Sequence, residues 1–390
     1  MDSKTTISDR FLKIIYLISD IGAVGGQQRV AIIKANELAK RGHDVTILSY
    51  LTINKNSPAN YDIDDRVKIA SLEMDYSAVK SVASLSWLRL KRYQFSLFRQ
   101  FFKNENPDIV ILTEPNGSLP PVATLPFRSA LVYEAHFPLA TAAMRRGYSL
   151  WQRMKIHIAN FVTRCILSSK VNRFVVLTEE RRKRCGFNKR KVVVIPNPLT
   201  IEPLRSTGET KVIVAMGHLN ARKNHHALID VMRLVAEQHP DWELHIWGAG
   251  PQRDELQRHI DRLKLGKNVR LMGTTTDAAA VFSQAAIFAS TSLSETFHLV
   301  VLEAMASGVP IVAYHNEGND SLLAVSGAGV LLDAGDIEGM AHAIGQLISD
   351  KSLRDNMGAR GIERSRDFAL DAIIDRYETL YCEVAAKHNT

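Results

Sequence analysis

The 390-residue sequence predicts an α/β protein built from two Rossmann-like, doubly wound domains in tandem. Three observations carry this expectation. Short β-branched apolar runs alternate with longer stretches of helical periodicity, the order that parallel strands require because each return to the sheet needs a crossover. The alternation is interrupted once, by the proline-bearing stretch Val192 to Thr210, and then restarts. A chain of this length with 46% hydrophobic residues also exceeds what one compact core usually holds.

The elements follow in order. "LKIIYLIS" (Leu12 to Ser19) reads as a buried strand, the turn "DIGAVGGQ" leads into a helix with apolar spacing, and Gly42 stops that helix before a second strand over Val45 to Leu48. "DIVILT" (Asp108 to Thr113), "ALVYEAH" (Ala130 to His136) and "RFVVLT" (Arg173 to Thr178) supply further strands. Past the interruption, "KVIVAMG" (Lys211 to Gly217), a helix around Ala227 to Glu237, "ELHIWG" (Glu243 to Gly248), a helix from Gln252 to Leu263 and "NVRLMG" (Asn268 to Gly273) repeat the pattern. "AIFAST", a further helix, "VPIVAY" and a final helical region from about Asp336 complete it. The expected division is 1–198 and 199–369, and ligands of such sheets gather at the carboxyl ends of the strands, so a cleft between the domains is the expected active site.

Composition narrows the classes. No stretch approaches the roughly 18 consecutive apolar residues of a membrane span, and "MDSKTTISDRFLK" has acids and no apolar core of a secretory signal. The expected location is the cytoplasm, at most peripheral at the cytoplasmic face of a membrane. Cys165, Cys185 and Cys382 are odd in number and far apart, which argues against a disulfide framework or a zinc site. Charge is asymmetric: residues 1–200 hold 31 Lys and Arg against 16 Asp and Glu, a net of +15, and the remainder hold 18 against 25, a net of −7. In the basic half, Trp87 to Lys103 and Met144 to Lys170 interleave aromatics with cations, the composition of helices that meet anionic lipid headgroups. An ordinary helix with a basic solvent face is the competing reading, and no nucleic-acid module is recognisable.

Three motifs carry candidate chemistry. Gly25 and Gly26 lie between the first strand and its helix, where backbone N–H groups can approach a phosphate or sugar. Their spacing with Gly22 is not G-x-G-x-x-G, which weighs against a nicotinamide dinucleotide. In "AMGHLNARKNHHALI", Lys223 follows the strand-ending Gly217 at the start of a helix and can offer a point charge to a diphosphate. In "SETFHLVVLEAMASGVP", Thr296 is the expected N-cap of a helix reaching about Ser307 and stopped by Gly308 and Pro310. The amides of Phe297, His298 and Leu299 would then form an anion site, with Glu295 in the preceding loop and Glu303 two turns inside, suited to vicinal hydroxyls such as those of a ribose.

Together these residues resemble the retaining nucleotide-sugar glycosyltransferases of family four, with the GT-B fold. The resemblance runs from Gly25-Gly26 through "VIPNP" (Val194 to Pro198), "GHLNARKN" (Gly217 to Asn224) and "WGAGP" (Trp247 to Pro251) to E-x7-E at Glu295 and Glu303. It implies that Glu295 contacts the donor sugar, Glu303 the ribose, and the glycine loop with Lys223 the diphosphate, while His136 of "YEAHFP" meets the sugar. It also implies a C-terminal helix, about 370–390, that crosses back to the first domain. Two departures stand out. His218 and Asn224 occupy positions where the family shows arginine and glycine in G-R-L-x-x-x-K-G, and His298 stands where glycine is frequent in E-x-F-G.

The implied activity is metal-independent, retaining transfer of a hexose-type sugar from an NDP-sugar co-substrate, UDP or alternatively GDP, with no further cofactor. The expected acceptor is a hydroxyl of a glycan or lipid-linked molecule in cell-surface polysaccharide assembly, recognised by first-domain loops such as Thr113 to Pro121 and His136 to Gly147. Two other classes share the architecture. A catalytically silent subunit that binds glycan or a partner transferase would release no nucleoside diphosphate, and a nucleotide-sugar epimerase would change the sugar with no acceptor present.

Overall fold

The computed structural model describes residues 11–22, 25–51, 61–74, 85–113, 122, 129–136 and 150–388. The chain forms two compact units, Met1–Pro196 with Ile373–Thr390, and Asn197–Ala372.

Unit 1 begins with β1 (Lys13–Ile18), α1 (Gly26–Lys40), β2 (Asp44–Leu51), β3 (Lys68–Met74) and α2 (Leu85–Glu105). It continues through β4 (Ile109–Leu112), β5 (Ala130–Glu134), α3 (Leu150–Lys170), β6 (Arg173–Val176), α4 (Glu179–Arg184) and β7 (Val192–Val194). The strands form one parallel sheet in the order β3-β2-β1-β4-β5-β6-β7, so the winding reverses between β1 and β4. Central strands are buried on both faces, as parallel strands flanked by helices must be, and their sequences are accordingly continuous apolar runs. Ile15, Val110, Leu131 and Phe174 from the sheet pack with Phe98 and Phe102 of α2 and Leu167 of α3.

Two strands of this sheet depart from expectation. β3 carries no continuous apolar run because it lies at the sheet edge, where Ile69 is exposed. β7 occupies Val192–Val194, the first residues of the stretch expected to be linker; its pairing with β6 turns "VVV" into an edge strand before the prolines break the pattern. The acceptor-loop candidates at 114–121 and 137–147 lie outside the described residues.

Unit 2 comprises β8 (Val212–Met216), α5 (His225–Gln238), β9 (Glu243–Trp247), α6 (Arg253–Arg262), β10 (Val269–Gly273), α7 (Ala278–Ser283) and β11 (Ile287–Ser290). Then come α8 (Leu299–Ala306), β12 (Ile311–Tyr314), α9 (Glu317–Leu323), β13 (Gly329–Leu332), α10 (Ile337–Ser349) and α11 (Lys351–Ser365). Its parallel sheet runs β10-β9-β8-β11-β12-β13, with the reversal between β8 and β11. The core sets Ile213, Ile246, Ile287 and Val312 against Leu228 and Met232 of α5 and Ile344 of α10. The short β13 and α9 escaped the periodicity reading: β13 is a half-buried edge of four residues, and α9 starts from a cap, Asn316, whose side chain accepts the Asn319 N–H.

The last helix, α12 (Leu370–His388), belongs to unit 1 from Ile373 onward. Its apolar face buries Ile373, Ile374, Tyr377, Leu380 and Tyr381, and Arg41 at the end of α1 pairs with Asp375 at 2.5 Å and Glu378 at 2.6 Å.

Candidate active site

In unit 2 the segments leaving β8 and β11 lie side by side at the winding reversal, the place where doubly wound sheets bind ligands. Backbone bonds tie them together: Leu293 N–H donates to Arg222 O at 2.9 Å, and Thr291 Oγ1 to Asn224 O at 2.8 Å. The start of α9 joins them through Gly318 N–H, which donates to Glu295 O at 2.8 Å, and its cap residue Asn316, whose Nδ2 donates to Ser292 O at 2.9 Å. The crossing of neighbouring strand ends demands glycine. A Cβ on Gly248, whose φ is +149°, would lie 1.9 Å from Gly217 O. Asn224 explains its own tolerance: at φ +55° it takes the left-handed conformation usually left to glycine, which asparagine adopts more readily than other residues.

Lys223 stands at the centre. Its Nζ lies 2.8 Å from Glu295 Oε1 and 3.1 Å from His298 Nε2, and Arg222 Nη1 reaches the same carboxylate oxygen at 2.6 Å. The imidazole state follows from its partners. Asn319 Nδ2 donates to Tyr314 O, which leaves Asn319 Oδ1 as an acceptor 2.7 Å from His298 Nδ1. His298 therefore carries its proton on Nδ1 and accepts from the Lys223 ammonium through Nε2. Burial, reinforced by Lys223, lowers the His298 pKa to about 4, so the ring is neutral at pH 7. Burial would raise Glu295, but His298, Lys223 and Arg222 outweigh it and hold the carboxyl at about 2. Burial lowers the Lys223 ammonium against the pull of Glu295.

Several expectations change. Helix α8 starts at Leu299 with His298, not Thr296, as N-cap, so Phe297 and His298 precede the helix. The first-turn amides are those of Leu299, Val300 and Val301, and Val301 N–H bonds back to His298 O at 3.0 Å. The later start has a physical cause: Phe297 is buried against Phe368, and the His298 ring is drawn to Lys223 and Asn319, which holds both residues in the loop. Lys223, although in the loop before α5, is 7% exposed. Glu303 sits in a helix buried almost all round, and Thr200 Oγ1 donates to its Oε1 at 2.7 Å, the kind of partner a buried carboxylate requires. His218 is exposed in the loop after β8, with Nδ1 3.3 Å from Asn220 Nδ2.

The structure thus brings Gly217, Lys223, Glu295 and His298 together in unit 2. Asn319 and Arg222, which complete that cluster, were not singled out from the sequence; a polar residue in a short unrecognised helix and one more arginine carry no periodic signal. Gly25, Gly26 and His136 belong to unit 1. Gly25 is the extended N-cap of α1, and its N–H and C=O both bond the Tyr61 hydroxyl, at 3.1 and 3.2 Å. His136 lies just past β5 with Nε2 3.2 Å from Glu134 Oε2. Among the described residues no cluster of His, Cys, Asp or Glu is arranged to hold a metal ion.

Two parallel doubly wound units, the second with a lysine–glutamate pair at its winding reversal, agree with the GT-B glycosyltransferase class that the sequence resembles. Residues 24–202 match the model of Glycosyltransferase Family 4 and residues 198–364 that of Glycosyl transferases group 1. The chain belongs to this family of glycosyltransferases. A Haemophilus influenzae protein described as an uncharacterized glycosyltransferase is 26% identical over 377 residues, 94% of this chain and 99% of its own. The amylovoran biosynthesis glycosyltransferase AmsD of Erwinia amylovora is 24% identical over 385 residues, again 94% and 99%. Among solved structures, Anabaena HepE in complex with UDP-glucose superposes with a TM-score of 0.72 at 20% identity, covering 95% of this chain and 99% of that one.

Proposed function

We propose that the protein transfers a hexose-type sugar from UDP-sugar, GDP-sugar being the alternative, to a hydroxyl of a glycan or lipid-linked acceptor in cell-surface polysaccharide assembly, with retention of anomeric configuration. Unit 2 holds the donor and unit 1 the acceptor. The observation that carries this reading is the Lys223 ammonium, buried yet held by Glu295 and His298 at the winding reversal of unit 2. A cation kept there in fixed geometry can meet the charge that grows on a departing diphosphate without reorganising during the reaction. The bond from the anomeric carbon to the diphosphate breaks, the acceptor oxygen bonds the same face of that carbon, and the acceptor proton passes to a departing phosphate oxygen. Glu295 is assigned to the sugar, Glu303 to the ribose, the glycine loop at Gly25 and Gly26 to the diphosphate, and His136 to the sugar from unit 1. The name of AmsD and the UDP-glucose bound to HepE support a biosynthetic role and the nucleotide respectively.

Thermal-shift measurement with UDP-, GDP- and ADP-sugars tests the donor, because a ligand that binds only the folded state raises the midpoint. A UDP-sugar is expected to stabilise the protein most. A shift confined to ADP-sugars, or none with any donor, refutes the assignment.

The reading includes an anionic membrane surface as the acceptor's location. No helix among the described residues is long and apolar enough to cross a membrane. Helix α3 instead exposes Trp151, Met154, Ile158 and Phe161, whose spacing puts them on one face, and its sequence has four Lys or Arg and no acid. Vesicles containing phosphatidylglycerol are expected to float the protein at low salt, with loss of binding in Trp151→Ser/Phe161→Ser. Equal flotation by that variant would remove α3 from the proposal.

A further inference from the structure

Unit 1 buries a charged cluster that the transfer chemistry above does not use. Lys34 of α1 and Glu134 of β5 form an ion pair with both side chains 0% exposed. Tyr381 of α12 donates its hydroxyl to Glu134 Oε1 at 2.7 Å and lies 3.2 Å from the Tyr16 hydroxyl. The Lys34 ammonium also sits 4.1 Å from the centre of the Tyr377 ring, a cation–π contact. An ion pair in so dry a place holds a fold together no better than apolar side chains of the same volume, because desolvation offsets the attraction. The cluster calls for another role, and Glu134 Oε2 points to it: the same oxygen that meets Lys34 lies 3.2 Å from His136 Nε2.

We infer that Glu134, held ionised by Lys34 and oriented by Tyr381, is a positioning residue for His136 that fixes its ring and keeps a proton on Nε2. The inference rests on the assignment of His136 to the transferring sugar. Burial would raise the Glu134 carboxyl, yet Lys34 and His136 bring it down to about 2, so at neutral pH it can only accept. The Nε2 atom facing it must then be the donor, and in the neutral imidazole the lone pair is on Nδ1. A histidine that meets a substrate hydroxyl works through one nitrogen, and the tautomer decides whether that nitrogen donates or accepts. The backbone bond from His136 N–H to Glu134 O, 3.1 Å, closes the short turn that brings the two side chains together. Tyr16 and Tyr381 extend the arrangement from β1 to the C-terminal helix, so α12 helps to set the geometry of a residue near the end of β5.

The test uses the full chain. In a proton–nitrogen spectrum of protein labelled with ¹⁵N-histidine, the His136 signals are those lost in His136→Gln. A ring protonated on Nε2, alone or together with Nδ1, is expected; a ring protonated on Nδ1 only overturns the inference, whatever the enzyme's activity. UDP release from UDP-glucose then measures the consequence. Lys34→Met/Glu134→Leu removes both charges and keeps the interior neutral, and its kcat is expected to fall about 10²-fold, with the donor KM unchanged. His136→Gln is expected to fall by the same factor, and the triple variant no further. Wild-type kcat in the Lys34→Met/Glu134→Leu protein beside a low kcat in His136→Gln shows that the cluster serves only the fold, leaving the function of His136 intact. Wild-type kcat in His136→Gln removes that function and the positioning role together. Should the paired variant not fold, the wild-type spectrum still decides the tautomer.

Discussion

Replacing Lys223 by methionine separates a catalytic cation from a structural counter-ion. The ammonium is 2.8 Å from Glu295 Oε1, and the carboxylate is 10% exposed, so its removal leaves a largely buried negative charge with Arg222 as the remaining cation. Breaking a buried pair costs about 3 to 5 kcal/mol, and the retained Arg222 contact at 2.6 Å reduces this to about 2 to 3 kcal/mol. For a unit of this size the thermal midpoint should fall by about 4 to 12 °C. Turnover should fall about 10² to 10³-fold, the loss typical of one preorganised group that stabilises charge in the transition state. The informative variant is Lys223→Met/Glu295→Gln. Scanning calorimetry should show most of the stability restored, since no uncompensated charge is left, while nucleoside diphosphate release stays as low as in the single variant. Recovery of both stability and turnover would refute the catalytic reading, for it would show that Lys223 exists to neutralise Glu295.

Three further outcomes are expected. Glu303→Gln should weaken UDP binding about tenfold with little change in kcat, as for loss of a charged hydrogen-bond acceptor to a hydroxyl pair; calorimetric titration with UDP measures it, and unchanged affinity excludes Glu303 from the ribose. The folded-state pKa of His298 is depressed from 6.5 to about 4, so its contribution is complete above pH 6.5 and disappears as pH falls through 4, a loss of about 3 kcal/mol. His225, likewise held at about 4 by burial and the neighbouring Lys223, adds a loss in the same window. Thermal midpoints measured between pH 7 and 4 should therefore decline more gently in His298→Gln, and an identical decline would show that His298 is not buried neutral. Gly248→Ala should be insoluble or destabilised by about 3 kcal/mol or more, because its Cβ would meet Gly217 O at 1.9 Å, and a soluble, fully stable variant would contradict that strand crossing.

The legible part of this protein was whatever repeats or alternates. Continuous apolar runs such as "KIIYLI" and "IVIL" announced strands buried on both faces, and their alternation with helices announced two doubly wound sheets. Edge elements gave weaker signals. β3 and β13 are half-solvated, so their sequences lack the run that marks a central strand. Residue types and order pointed to Gly217, Lys223 and Glu295, which the structure brings together, because glycine at a strand end and charge in an apolar setting are unusual on their own terms. The sequence could not say where α8 begins, since threonine is a good cap wherever it occurs and only the packing of Phe297 against Phe368 shows that the chain is not yet helical there.

By itself, then, the sequence determined the class of fold and the restart of its pattern and nominated a small set of candidate residues, because local propensity and hydrophobic period are properties of neighbours in the chain. The partners of those residues were decided in three dimensions. Lys223 and His298 are 75 positions apart and Lys34 and Glu134 are 100 apart, yet each pair is in contact. What turns His298 into a neutral acceptor is the exclusion of water around it, and what keeps Glu134 ionised against the same burial is its pairing with Lys34; only tertiary packing brings about either.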